Sequence, residues 1–251
     1  MPGGPIPKAY ISWSTGKDAA FALLEARRLG LAQIVGLLTT VSEVHDRVSL
    51  HGVRRALLER QAAELGLPCR IVPLPSPCPN EVYEQRMEEA VARIKSESVR
   101  HVVFGDLFLE DVRAFREQQL ARAGMHGIFP LWRRNTAQLA SEMIARGFVS
   151  HLVTIDPREL ARDFAGRKFD AALLASLPSA VDPCGENGEF HTFVSGGPMF
   201  ANAIAVAPGE IVERDGFVFA DLMAEQPRRL TFPAPRSPRP RARHRGNAPD
   251  V

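Results

Sequence analysis

From residue 9 to about residue 155, short apolar runs alternate with amphipathic stretches. The runs are Ala9–Trp13, Ile34–Thr40, Arg70–Pro73, His101–Phe104 and Val149–Ile155, rich in Val, Ile and Leu. Their apolar residues are continuous rather than alternating, which predicts strands covered on both faces. Helical periodicity fills the gaps at Asp18–Leu29, Val53–Leu65, Glu81–Glu97, Val112–Ala123 and Thr136–Arg146. Three of these stretches run into a glycine (Gly30, Gly66 and Gly147), the residue that enters the left-handed conformation ending a helix most freely. Strand–helix alternation predicts βαβ units, and so an α/β fold whose parallel sheet carries helices on both faces.

After residue 156 the pattern changes. A polar stretch leads to a short helix at Ala171–Leu177 and a glycine-rich loop at 185–197. A β-hairpin is then expected from Ala203–Val206 and Ile211–Phe219, joined by Ala207-Pro208-Gly209-Glu210. The expected division is a core at 1–125, a smaller C-terminal α+β subdomain at 126–225 that completes the sheet, and a tail at 226–251. No internal repeat is present.

Composition adds little to this picture, and charge adds one feature. At 251 residues, 45% hydrophobic and 24% charged, the chain is an ordinary globular one, not a fibre, a coiled coil or a wholly disordered polymer. The net charge of +2 conceals a tail with seven arginines, six prolines and one acid, which carries +6 and leaves −4 on the rest. That tail has too little apolar surface to offset its ordering entropy, so a disordered extension is expected. Three cysteines without a CxxC pair make neither a disulfide framework nor a thiolate zinc site. No apolar run approaches the membrane-spanning length of about 18 residues, and the first residues lack a signal-peptide pattern, so a cytoplasmic protein without a membrane partner is expected.

The chemistry concentrates in two places. Ser14-Thr15-Gly16-Lys17-Asp18-Ala19 follows the first strand and opens the first helix. A helix N-terminus presents unpaired N–H groups and about half a positive charge, which suits an anion. Ser14 and Thr15 add hydroxyls, Gly16 admits close approach, Lys17 adds a full charge, and Asp18 can cap the helix or hold magnesium between phosphates. The stretch is not a Walker A loop, because Ile11 and Asp18 stand where that motif needs glycine and Ser or Thr. The residues alone leave a phosphate cradle and a plain strand–turn–helix junction equally open. The second place is Glu186, Glu189 and His191, where an acid pair beside a histidine can abstract a proton, bind an amine or hold a metal. A solvated glycine turn before a strand is the other reading of these three residues. His51, Asp106, Glu110 and Asp111 follow the second and fourth parallel strands, and ligands of open α/β sheets lie beyond the carboxyl ends of strands. His45, His101, His126 and His151 show no ligand spacing, and Cys184 is expected to be an inert small residue rather than a nucleophile.

Ser14-Thr15-Gly16-Lys17-Asp18 resembles the SGGKDS loop of the N-type ATP pyrophosphatases, which grip the pyrophosphate of ATP and cleave between its α and β phosphates. Trp13, His51-Gly52-Val53-Arg54, Phe104-Gly105-Asp106, Leu109-Glu110-Asp111, Phe129-Pro130-Leu131-Trp132 and Phe164-Ala165-Gly166 are similar to the diphthine–ammonia ligase branch of that superfamily. Most specific is Gly185-Glu186-Asn187-Gly188-Glu189-Phe190-His191-Thr192, which resembles the C-terminal signature of the branch. The matches run in order from residue 8 to about residue 222. The resemblance implies a Rossmann-like, HUP-type fold, with ATP on Ser14–Ala19 and Asp106 and with Mg2+ at Asp18. It implies catalytic roles for Lys17, Glu186, Glu189 and His191, and acceptor contacts for His51, Glu110, Asp111, Asn187, Gly188 and Thr192. The implied reaction adenylates a carboxylate, releases pyrophosphate and then transfers ammonia. In the family the acceptor is diphthine on an elongation factor in archaea and eukaryotes; a bacterial chain needs another acceptor. Two departures stand out: Ala19 replaces a serine and Thr15 replaces the commoner glycine. They keep open a non-catalytic adenine-nucleotide regulator, and the arginine-rich tail keeps open a tRNA-thiolation enzyme. A homodimer is also open, with the hairpin either covering the site or making the subunit contact.

Overall fold

The computed structural model describes residues 5–225; the arginine- and proline-rich segment at 226–251, for which disorder was expected, lies outside them. Strands β1 (Lys8–Ser12), β2 (Gln33–Ser42), β4 (Cys69–Leu74), β5 (His101–Val103) and β6 (His126–Ile128) pair in parallel in the order β4-β2-β1-β5-β6. A two-residue strand β3 (Arg47–Val48) runs antiparallel to the end of β2, beyond the last residue that β2 shares with β1. Helices α1 (Lys17–Arg28), α2 (Arg55–Leu65), α3 (Asn80–Ser96) and α4 (Glu110–Arg122) make the connections. The order reverses at β1, so the chain leaves for β2 on one side and returns to β5 on the other. That opens a crevice beyond the carboxyl ends of β1 and β5.

Two apolar clusters cover the two faces of this sheet. Phe21, Leu23, Leu57 and Leu58 pack with Ile11 and Leu37 in one, and Ile94 and Leu120 pack with Tyr10 and Val102 in the other. This is why the strand runs are continuous rather than alternating.

The second half departs from expectation in two respects. Strand β7 (Val149–Ile155), read from sequence as a member of the parallel run, belongs to a separate antiparallel sheet ordered β8-β7-β10-β9. Its partners are β8 (Phe190–Gly196), β9 (Val206–Arg214) and β10 (Phe217–Ala224). Helix α5 (Thr136–Ala145), capped by the Asn135 side chain on Gln138 N–H at 2.9 Å, leads into β7; a 3-10 turn (Arg162–Phe164) and α6 (Ala171–Ser176) precede β8. The hairpin exists, but its turn is Asp215-Gly216, not residues 207–210, which lie inside β9. Both turn residues have positive φ (52° and 80°), the geometry that suits the right-handed twist of the flanking strands. The two sheets share one core: Phe190, Phe193, Val218 and Leu222 belong to the same cluster as Ile11 and Phe21. Among the described residues no helix is long and apolar enough to cross a membrane.

Candidate active site

The site is built around the N-terminus of α1. The chain leaves β1 through Trp13, whose buried indole N–H donates to Gln61 Oε1 at 2.8 Å. Thr15 follows with φ of 72°, a rare conformation for a β-branched residue. Its carbonyl accepts from Val194 N at 3.0 Å and from Gln61 Nε2 at 3.1 Å, and its Oγ1 is buried without a partner. Gly16 then sits at the cap position of α1 with no side chain to bond the helix. Thr192 takes over that task from β8, its Oγ1 accepting from Lys17 N at 3.0 Å. Ser14 stays local, its Oγ 3.4 Å from Gly16 N. Room is tight here: a Cβ on Gly16 would lie 2.8 Å from His51 Cε1, and one on Gly105 would lie 2.7 Å from the Asp18 carbonyl carbon. Glycine in the Phe104-Gly105-Asp106 motif therefore lets the end of β5 touch α1.

The Lys17 side chain turns inward. It is 1% exposed, donates to both Asp18 oxygens at 3.1 and 2.9 Å and to the Cys184 carbonyl, and lies 5.4 Å from the ring centres of Phe169 and Phe190. Burial works to discharge the ammonium, yet the facing Asp18 carboxylate and the surrounding acids hold its pKa above the ordinary value. Burial pushes the Asp18 carboxyl up against the pull of Lys17. The lysine is therefore a buried charge that joins the first loop to the second.

The second loop carries the two glutamates in different environments. Glu189 is 2% exposed, and its carboxylate accepts from Asp182 N (2.8 Å), Asn187 N (3.0 Å) and Asn187 Nδ2 (3.0 Å). Both Glu189 and Asn187 are thus committed to the shape of the loop. Gly185 and Gly188 take positive φ (71° and 91°) at its bends, and a side chain on Gly185 would strike the Phe190 carbonyl. Glu186 faces the crevice instead, with Oε1 accepting from Leu107 N at 2.7 Å. Burial raises its pKa to about 7; the Leu107 N–H works against this, and Asp18 adds to it. Burial also pushes up the thiol of Cys184, which leaves it the inert residue expected.

His191 and His51 stack, with ring centres 4.5 Å apart and planes tilted by 22°. Burial, reinforced by the charge of Lys17, lowers His191 to about 4; His51 is held well below its ordinary value by burial and by His191. Both rings are neutral at pH 7. His51 Nδ1 lies 3.1 Å from the Thr192 carbonyl, so the pair stands against the phosphate-loop candidate. His191 also lines a cavity of about 370 Å3 between β3 and the β9–β10 hairpin, walled by Val48, Leu50, Leu74, Phe217 and Phe219.

Asp106 lies on the other side of α1, 2.8 Å from Arg116 Nε. Burial raises its carboxyl against the pull of Arg116, and Asp18 adds to the rise. No group of three or more metal-ligating side chains occurs among the described residues. The carboxylates near this end of α1 are each paired with a cation, Asp18 with Lys17 and Asp106 with Arg116. The structure therefore brings together Ser14–Ala19, His51, Asp106, Glu186, His191 and Thr192. It does not bring in Glu110 or Asp111, which stand exposed in the first turn of α4, with Glu110 bonded to Arg133 at 2.8 Å. Gln61 escaped the sequence reading, and its only signal there is an amide on the apolar stripe of α2.

The model of the diphthamide synthase C-terminal domain matches residues 135–222, a span that includes α5, the second loop and the antiparallel sheet. Diphthine–ammonia ligase of Bos taurus is 25% identical over 181 residues, covering 70% of this chain and 68% of that protein. The Danio rerio protein of the same name is 26% identical over 229 residues, covering 82% of this chain and 89% of its own. The Schizosaccharomyces pombe one is 28% identical over 101 residues, and that match spans only 17% of its length.

Proposed function

We propose, from its similarity to the diphthine–ammonia ligases, that this chain is a member of that family and an ATP-dependent ligase that joins ammonia to a carboxylate, with AMP and pyrophosphate as products. The relatives are named for diphthine and ammonia, and the acceptor proposed for this chain is a carboxylate of that class. The observation that carries the reading is the joint at α1, where Thr192 caps the helix through Lys17 N–H while Glu186 reaches the end of β5 at Leu107 N. One motif thus presents N–H groups to an anion, and the other presents an acid to the same crevice.

ATP is the substrate expected on Ser14–Ala19, and the free polar hydroxyl of Thr15 together with the tight Gly16 turn fits a phosphate cradle. Magnesium would be held by Asp18 and Asp106 and would neutralise charge on the phosphates. The acceptor carboxylate attacks the α-phosphorus, and the electron pair of the α–β bridge leaves with pyrophosphate. The helix N-terminus and the buried Lys17 charge stabilise that transfer, which is the electrostatic term that dominates most such sites. Ammonia then attacks the acyl carbon, AMP leaves, and Glu186 takes the proton that the attacking nitrogen sheds. A carboxylate titrating near 7 is matched to that task, whereas His191, neutral down to about pH 4, is a weak base that orients its neighbours. Glu189 has no part in proton transfer, because its oxygens hold the loop.

A specific observation favours a second reading, a nucleotide-binding regulator: the Lys17 ammonium is already engaged by Asp18 and Cys184. Phosphorus NMR with magnesium-ATP, ammonium and candidate carboxylates separates the two, with a Lys17→Ala control. AMP and pyrophosphate that depend on Lys17 support the ligase. Lys17-dependent binding without turnover supports the regulator, and ADP with orthophosphate refutes the ligase.

A further inference from the structure

Gln61 lies in mid-α2 on a stripe otherwise made of Leu57, Leu58, Ala62 and Leu65, and it is fully buried. A buried primary amide is tolerated only when its polar atoms are bonded. Here Oε1 accepts from the Trp13 indole, and Nε2 donates to the carbonyls of Thr15 (3.1 Å) and Val194 (2.6 Å). One side chain therefore ties the exit of β1, the strained turn and strand β8 together.

The consequence lies in the peptide between Thr15 and Gly16. The Thr15 carbonyl is held by two donors, Gln61 Nε2 and Val194 N. A trans peptide is planar, with C=O and N–H pointing oppositely, so fixing that carbonyl fixes the Gly16 N–H on the opposite side, where Ser14 Oγ lies. Thr15 would leave φ of 72° without this restraint, since a β-branched residue prefers negative φ, and the peptide plane would turn with it.

We propose that Gln61 is a positioning residue for nucleotide binding, holding Thr15 in the left-handed conformation so that the Gly16 N–H faces the phosphates. The proposal rests on the reading that ATP lies on residues 14–19. Its test is the affinity for magnesium-ATP by titration calorimetry, beside thermal denaturation, in wild type, Gln61→Leu, Thr15→Gly and the double variant. Gln61→Leu should weaken affinity about tenfold or more, the scale set by a lost buried hydrogen bond. Thr15→Gly removes a hydroxyl of the candidate cradle and sets its own baseline; adding Gln61→Leu to it should weaken affinity by less than about a further twofold, because glycine takes positive φ unaided. A merely structural Gln61 would lower the melting temperature without this dependence on Thr15. Unchanged affinity in Gln61→Leu, or a loss as large in the Thr15→Gly background, overturns the proposal. If Gln61→Leu does not fold, Gln61→Asn, one methylene short of its partners, goes through the same cycle with the same expectations. Wild-type protein that binds no magnesium-ATP overturns the nucleotide reading together with this proposal, whereas binding indifferent to Gln61 overturns this proposal alone.

Discussion

Residues 13–17 take their shape from outside, while residues 182–189 take theirs from within. The first loop is held by Gln61, Val194 and Thr192, all from distant elements, and its one strained residue, Thr15, is restrained by them. The second loop closes on a buried carboxylate of its own: Glu189 bonds Asp182 N and Asn187, and the Asp182 side chain accepts from Cys184 N at 2.9 Å. A loop held from outside can change with its neighbours, whereas a self-braced loop keeps its form and delivers one residue, Glu186, at a fixed place. On the proposed function, the two designs suit a nucleotide that comes and goes and an acid that must stay put.

The sharpest break in that comparison is chemical. Glu186→Gln should cut turnover about 100-fold or more, the usual scale for loss of a general base, and should remove the limb of the rate profile near pH 7. AMP formation followed against pH measures both. The same substitution has a stability signature. The carboxyl titrates near 7 in the fold against an ordinary 4.5, so its contribution is full at low pH and is lost as pH rises through that window. Glu186→Gln should therefore raise the melting temperature more at pH 8 than at pH 5, and the reverse order would refute the buried-acid assignment.

Next comes the brace. Glu189→Ala removes a buried acceptor of three N–H bonds and should destabilise the protein by about 3 kcal/mol in urea denaturation, with Glu189→Gln costing less. A loss under about 1 kcal/mol would mean that the loop is not held from within. Thr192→Val removes the cap of α1 and should cost about 1 kcal/mol, while Thr192→Ser should keep most of it. The smallest effect at pH 7 belongs to His191→Asn. His191 titrates near 4 in the fold and 6.5 in the unfolded chain, so stability is lost as pH falls from 6.5 towards 4. Replacing it should flatten that fall, read as the slope of melting temperature against pH.

Four strands of the parallel half were legible as continuous apolar runs, whereas β6, three residues long and nowhere fully buried, left no run to read. β7 was not, because a doubly covered antiparallel strand has the same continuous apolar pattern as a parallel one. The hairpin turn was misplaced by the proline and glycine at 208 and 209, although Asp215-Gly216 is the stronger turn signal. In the site, the phosphate-loop candidate and the glutamate loop were visible as motifs. That Glu189 braces the loop while Glu186 reaches Leu107 N was not, since two carboxylates three residues apart on a glycine turn are told apart only by the atoms around them. Glu110 and Asp111 were placed by the parallel strand they follow, and the first turn of α4 carries them to the surface. Gln61 was invisible because nothing local distinguishes a clamping amide from a tolerated one.

The bond from Lys17 N to Thr192 Oγ1 joins residues 175 positions apart. On the ribosome, β1 and α1 emerge long before β8 exists, so α1 begins life with an uncapped N-terminus and an unrestrained Thr15. The N-terminus of α1 is consequently finished only after Thr192 and Val194 have been made. A nascent chain stalled before residue 190 would hold its first sheet and yet leave α1 uncapped, so on the proposed function capture of ATP would report that synthesis has passed β8.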